Sequence, residues 1–138
     1  MMINTMKTAM IIASDAGART AGIIREELGK EVDLFSVSER SGCVRIDSIT
    51  DFTLRHFGDY EAFVFIGAMG ICVRAIAPCV TSKYADPAVV NVDATGHFVV
   101  SVLAGHVGGA NALTERLARI LGAQPVVTTQ SDNTGLWA

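Results

Sequence analysis

Phe98–Asn111, FVVSVLAGHVGGAN, is the stretch from which the rest of the chain is read. Six residues rich in β-branched side chains run into a loop holding Gly105, Gly108 and Gly109. The helix-forming segment Ala112–Leu121 begins where that loop stops. A strand that passes through glycines into a helix leaves backbone N–H groups without intrahelical partners, and such groups suit an anion or an oxyanion. An upstream stretch repeats the arrangement: Phe63–Ile66, then GAMG (Gly67–Gly70), then the helix-compatible ICVRAIA. Two junctions of this kind predict an α/β domain with a binding site, and not tight turns alone.

Working outward, strands alternate with helices. Strands are expected at Thr8–Ala13, Val32–Val37, Ala62–Ile66, Ala88–Val92, His97–Leu103 and Pro125–Thr129. Helices are expected at Ala18–Gly29, Ser48–Phe57, Gly70–Ala77 (stopped by Pro78) and Ala110–Leu121. The pattern predicts a three-layer αβα sandwich with a mostly parallel, Rossmann/flavodoxin-like sheet of about six strands. Asp93–Gly96 (DATG) between two β-rich runs signals one β-hairpin, so one strand must run antiparallel. We assign the reversal to Ala88–Val92, which brings the GHVGGAN loop to the same sheet edge as the other strand-to-helix turns.

Composition narrows the class. The 138 residues suffice for one domain spanning the whole sequence, 1–138, with a core that needs no staples. Half of them are hydrophobic and 18% charged, which excludes disorder. No apolar run approaches the roughly 20 residues of a membrane span, and MMINTMKTAMIIAS leads straight into a strand instead of forming a leader. The net charge of −3 with scattered basic residues predicts no nucleic-acid partner. Cys43, Cys72 and Cys79 form neither a CxxC pair nor a zinc-type cluster, so no metal site is expected and a reducing, cytoplasmic setting is.

The candidate site gathers loops on the supposed common edge. After the first strand come Ser14, Asp15, Arg19 and Thr20. After the third come the GAMG amides (Gly67, Met69 and Gly70) and Arg74, which could clamp a carboxylate in bidentate geometry or simply face solvent. The Gly105, Gly108, Gly109 and Asn111 loop and the TTQSD loop (Thr128, Thr129, Ser131, Asp132) follow, with Lys83 and Asp86 ahead of Pro87. A histidine side chain ordinarily titrates near neutrality, so His106 can serve as a general base or be held to a loop carbonyl in a structural role. Asp132 can orient it, activate water, or cap a turn. His56 and His97 read as incidental. GxSxG, GxxxxGK[ST], HExxH and an early GxGxxG are all absent, which argues against dinucleotide or flavin binding.

FIGAMGICVRAIAP (Phe65–Pro78), DPAVVNVD (Asp86–Asp93), GHFVVSVLAGHVGGAN (Gly96–Asn111) and LGAQPVVTTQSD (Leu121–Asp132) together resemble the N-terminal domain of the CbiG family. These are the cobalt-precorrin-5A hydrolases of the anaerobic cobalamin pathway. The resemblance implies opening of the macrocycle's δ-lactone with loss of acetaldehyde, giving cobalt-precorrin-5B. It implies His106 or Asp132 as the base, and loop amides receiving the oxyanion. It implies a cobalt-corrinoid substrate studded with carboxylates and no cofactor of the protein's own, since cobalt arrives inside that substrate. Family members continue into a second, C-terminal domain, which is expected as a partner and is absent from this sequence. Two other readings stand beside the hydrolase: a non-catalytic tetrapyrrole-binding domain, and a generic phosphate- or nucleotide-binding α/β domain.

Overall fold

The computed structural model describes residues 6–105 and 107–129. All its strands join one seven-stranded sheet. In chain order the elements are β1 (Thr8–Ile12), α1 (Ala18–Leu28), β2 (Val32–Ser36), β3 (Val44–Arg45), α2 (Ile49–His56) and β4 (Ala62–Ile66). They continue with α3 (Met69–Ile76), β5 (Ala88–Val92), β6 (Phe98–Leu103), α4 (Ala110–Leu121) and β7 (Gln124–Val126). The spatial order is β3-β2-β1-β4-β5-β6-β7, the flavodoxin-like arrangement with strands added at both edges. The expected helices and strands are present to within a few residues. The seventh strand, β3, has two exposed residues and too little pattern to be read in sequence.

The centre of the sheet is apolar on both faces. Every residue of β1, β4 and β5 is buried, as central strands covered by helices require. Alternation sends Met10, Ile12, Val64, Ile66, Val90 and Val92 toward Ile24, Leu113 and Leu117 of α1 and α4. The alternate residues Ile11, Phe63, Phe65 and Val89 meet Cys72, Ala75 and Ile76 of α3. Burial thins out at β6, where Val99 alone is buried and Phe98 is 53% exposed.

Strand direction departs from the sequence expectation. β5 runs parallel to β4 in register Ala62↔Ala88 through Ile66↔Val92, so Ala88–Val92 is not the reversed strand. β6 is antiparallel to β5, and β7 is parallel to β6. The cause is the crossover. α3 carries the chain from the carboxyl end of β4 back across the sheet, and the loop up to Pro87 completes the return, so β5 must start from the amino edge. The turn at Asp93–Gly96 then reverses β6, and α4 makes β7 its parallel partner. The last β–α–β unit is therefore inverted as a block.

Asp93 builds that turn. Its carboxylate accepts from the amides of His97 (2.8 Å), Phe98 (2.6 Å) and Thr95 (3.1 Å) and from the Thr95 hydroxyl. Thr20 of α1 donates to Ala94 O at 2.7 Å and ties the turn to the helix layer.

Candidate functional site

Inversion of the last unit divides the expected site between two rims. β4 ends at Ile66, level with Val92 at the end of β5 and Ile12 at the end of β1. Gly67, Met69, Gly70 and Arg74 therefore belong to the carboxyl rim of the parallel strands. β6 ends at Leu103, opposite Val89 near the start of β5. Gly105, Gly108, Gly109 and Asn111 thus stand at the other rim, joined there by Lys83 and Asp86 just ahead of β5 and by Thr129 after β7. A five-residue strand spans about 16 Å. The single cradle expected from the sequence does not form.

At the rim beyond β6 and β7, Asn111 is the organising residue. It is 8% exposed, its Oδ1 accepts from Ser101 Oγ at 2.7 Å, and its Nδ2 donates to Thr129 Oγ1 at 3.2 Å. One side chain thereby ties β6, the first turn of α4 and the segment after β7. The close quarters demand glycines: a Cβ on Gly105 would lie 2.6 Å from Asn111 Oδ1, and one on Gly108 would lie 2.9 Å from Ala104 O. Ala104 itself takes a positive φ of 58°, uncommon for a residue with a Cβ.

The loop uses much of its own hydrogen-bonding capacity. Gly108 N and Ala110 N both donate to Ala104 O, at 3.1 and 3.2 Å, and Asn111 N donates to Gly105 O at 2.9 Å. These three amides are not the outward-facing donors that the glycine pattern suggested. The N–H groups of Val107 and Gly109 have no acceptor among the described residues and are the donors left for a ligand.

Asp86 has a local structural task. It is 8% exposed and closes the loop before β5 by accepting from Thr81 N (3.1 and 2.9 Å) and Thr81 Oγ1 (2.8 Å). Lys83 is exposed, its ammonium 5.4 Å from the Tyr84 ring centre. His106, Ser131 and Asp132 lie outside the described residues.

At the opposite rim, the loops after β1 and β4 part toward α1 on one face and α3 on the other. Gly67 has φ +152°, and a Cβ there would lie 2.7 Å from Ala13 Cβ, so only glycine lets the two loops separate this closely. Gly67 N donates to Val92 O and Ala13 N to Ile66 O, both at 2.9 Å. Arg40, on the segment after β2, pairs with Asp15 of the loop after β1. Two residues here escaped the sequence reading, Arg40 and Asn91. The lone asparagine in the apolar run AVVNV was the available signal for Asn91, as the lone Ser101 in FVVSVL was at the other rim.

No group of three or more His, Cys, Asp or Glu poised to hold a metal occurs among the described residues. A surface depression of about 200 Å³ is lined by Arg45, Ser48, Asp51, Phe52, Arg55 and His56, and its arginines are paired with Asp47 and Asp51.

Comparison with known proteins identifies the family. A solved structure of a cobalamin biosynthesis protein G homolog from Sulfolobus solfataricus superposes with a TM-score of 0.72 at 26% identity, over 91% of this chain and 38% of that one. Over 76 residues the chain is 58% identical to the cobalt-precorrin-5A hydrolase of Salmonella typhimurium and 50% identical to that of Priestia megaterium. Those stretches are 55% of this chain but only 22% and 20% of the two relatives. Residues 51–132, more than half of the chain, match the family described as cobalamin synthesis G N-terminal. The chain belongs to that family.

Proposed function

We propose that this chain carries the lactone-opening site of a cobalt-precorrin-5A hydrolase. The observation that carries the reading is the 58% identity to the Salmonella enzyme of that name over 76 residues. The substrate would be the cobalt-bearing macrocycle, cobalt entering as part of it, and the products cobalt-precorrin-5B and acetaldehyde. The reaction belongs to the rim built by Gly105–Asn111 and Thr129. Attack of water on the lactone carbonyl generates an oxyanion, and the Val107 and Gly109 amides are the donors available to receive it. Its collapse breaks the acyl C–O bond, and the freed alkoxide becomes the carbonyl of acetaldehyde as its C–C bond to the ring breaks, the electron pair passing into the macrocycle. His106 or Asp132 would take the proton from water. Asn111 ties the first turn of α4 to Thr129 at 3.2 Å, and His106 and Asp132 are near neighbours of those two residues in the sequence. The polypeptide that the longer relatives possess beyond the matched stretch is the natural partner for the rest of the ring.

Acetaldehyde release tests the reading. Incubating the chain with cobalt-precorrin-5A should liberate acetaldehyde, and His106→Ala should slow it about 10²–10⁴-fold if His106 is the base. Macrocycle binding without aldehyde would instead mark a binding domain.

A further inference from the structure

At the Asn111 rim the side-chain hydrogen bonds have a direction, and it begins on β6. Ser101 is the single hydroxyl in the run FVVSVL. It stands opposite Val90, whose side chain packs toward α4, so its own side chain reaches the first turn of that helix. There Ser101 Oγ lies 2.7 Å from Asn111 Oδ1, and Asn111 Nδ2 lies 3.2 Å from Thr129 Oγ1.

A single order of protons fits these contacts. A carboxamide oxygen carries no hydrogen, so Ser101 must donate to it. A carboxamide nitrogen accepts nothing, so Nδ2 must donate and Thr129 must accept. The Thr129 oxygen is thereby engaged, while its own O–H has no acceptor among the described residues. Asn111 is buried and Thr129 half-buried, so the series starts in the sheet and ends in a hydroxyl that a ligand can reach.

Gly105 supplies an independent observation. Its φ is not positive, so space and not backbone conformation keeps a side chain out. A Cβ there would lie 2.6 Å from Asn111 Oδ1 and 2.9 Å from Thr129 Oγ1. The missing side chain lets the Thr129 hydroxyl stand directly against the loop that carries the free Val107 and Gly109 amides.

We infer that Thr129 is a catalytic residue of the lactone opening and that Ser101 is a positioning residue acting on it through Asn111. This rests on the hydrolase reading. The Thr129 O–H donates to the lactone carbonyl oxygen, and that bond strengthens as negative charge develops there. Thr129 keeps its proton throughout, since the proton of the attacking water goes to His106 or Asp132. A hydroxyl already engaged by Asn111 needs little reorganisation to meet that charge, which is what makes such a donor effective.

The test is steady-state acetaldehyde release from cobalt-precorrin-5A by the full chain, with kcat and KM separated and each variant first shown to be folded by its amide spectrum. Thr129→Val keeps the shape and removes the hydroxyl; it should lower kcat about 10²-fold and leave KM within about threefold. Thr129→Ser should recover most of that loss. Ser101→Ala should lower kcat about tenfold by freeing the Asn111 amide to turn, and Ser101→Thr should restore it. A purely structural Ser101 would instead lower stability and leave the kcat of the folded protein in place. The inference is overturned if Thr129→Val turns over at the parent rate, if its loss lies in KM alone, or if folded Ser101→Thr is as slow as Ser101→Ala. A parent chain that releases no aldehyde brings down the hydrolase reading and this inference together, whereas an active parent with an unimpaired Thr129→Val brings down the inference alone.

Discussion

Gly67 and Asn111 each hold one rim together, and each fails in its own way when replaced. Gly67→Ala would put a Cβ 2.7 Å from Ala13 Cβ at a φ of +152°. A loss of about 2–3 kcal/mol is expected in urea unfolding, since strain and overpacking act together. Asn111→Ala removes the partner of Ser101 and Thr129 and should cost about 1–3 kcal/mol. If the account of that rim is right, it should also abolish aldehyde release at protein concentrations where the chain remains folded. Asp93 gives a pH signature. Burial works against its carboxylate, but hydrogen bonds from the Thr95 hydroxyl and from the amides of Phe98, His97 and Thr95 outweigh it and hold its pKa below the usual 3.8. Because the folded value is the lower one, the turn's contribution is complete above pH 3.8 and is lost as acid carries the pH down through the folded value. Asp93→Asn should flatten that acid limb of the stability curve.

Elements were legible in the chain where pattern and punctuation agreed. The apolar runs at Ala62–Ile66 and Phe98–Leu103, and the Gly122 that ends α4, are read directly from residue types. α2 is likewise marked by Ser48, whose Oγ accepts from Asp51 N at 3.1 Å, and Ser48→Ala should cost about 1 kcal/mol in the same unfolding assay. Strand direction was not legible. A run such as AVVNV reads the same whichever way it points, and a short turn says only that its two flanking strands oppose each other. What set the direction was whether α3, eight residues long, together with the loop to Pro87 could recross the sheet, and it does. The glycine loop was legible as a place and misread in its chemistry. Three of its amides turn inward to Ala104 O and Gly105 O, a consequence of the positive φ at Ala104 that no residue type announces.

On the scale of the molecule, the sheet separates two chemically distinct rims around a core packed at β1, β4 and β5. Cys72 reports on that core. It is fully buried, and burial pushes its thiol pKa up to about 12. A disulfide reagent should therefore modify it only at the rate of global opening, and faster than that would mean α3 detaches on its own. No helix among the described residues is long and apolar enough to cross a membrane. Under the proposed function, the division of the rims decides where the macrocycle would sit, and hydrogen exchange of the chain with and without cobalt-precorrin-5A tests it most directly. Slowed exchange should be confined to the segment around Gly105–Asn111 and to Val127–Thr129, with Gly67–Gly70 unchanged. Protection at Gly67–Gly70 with none around Asn111 would contradict the account.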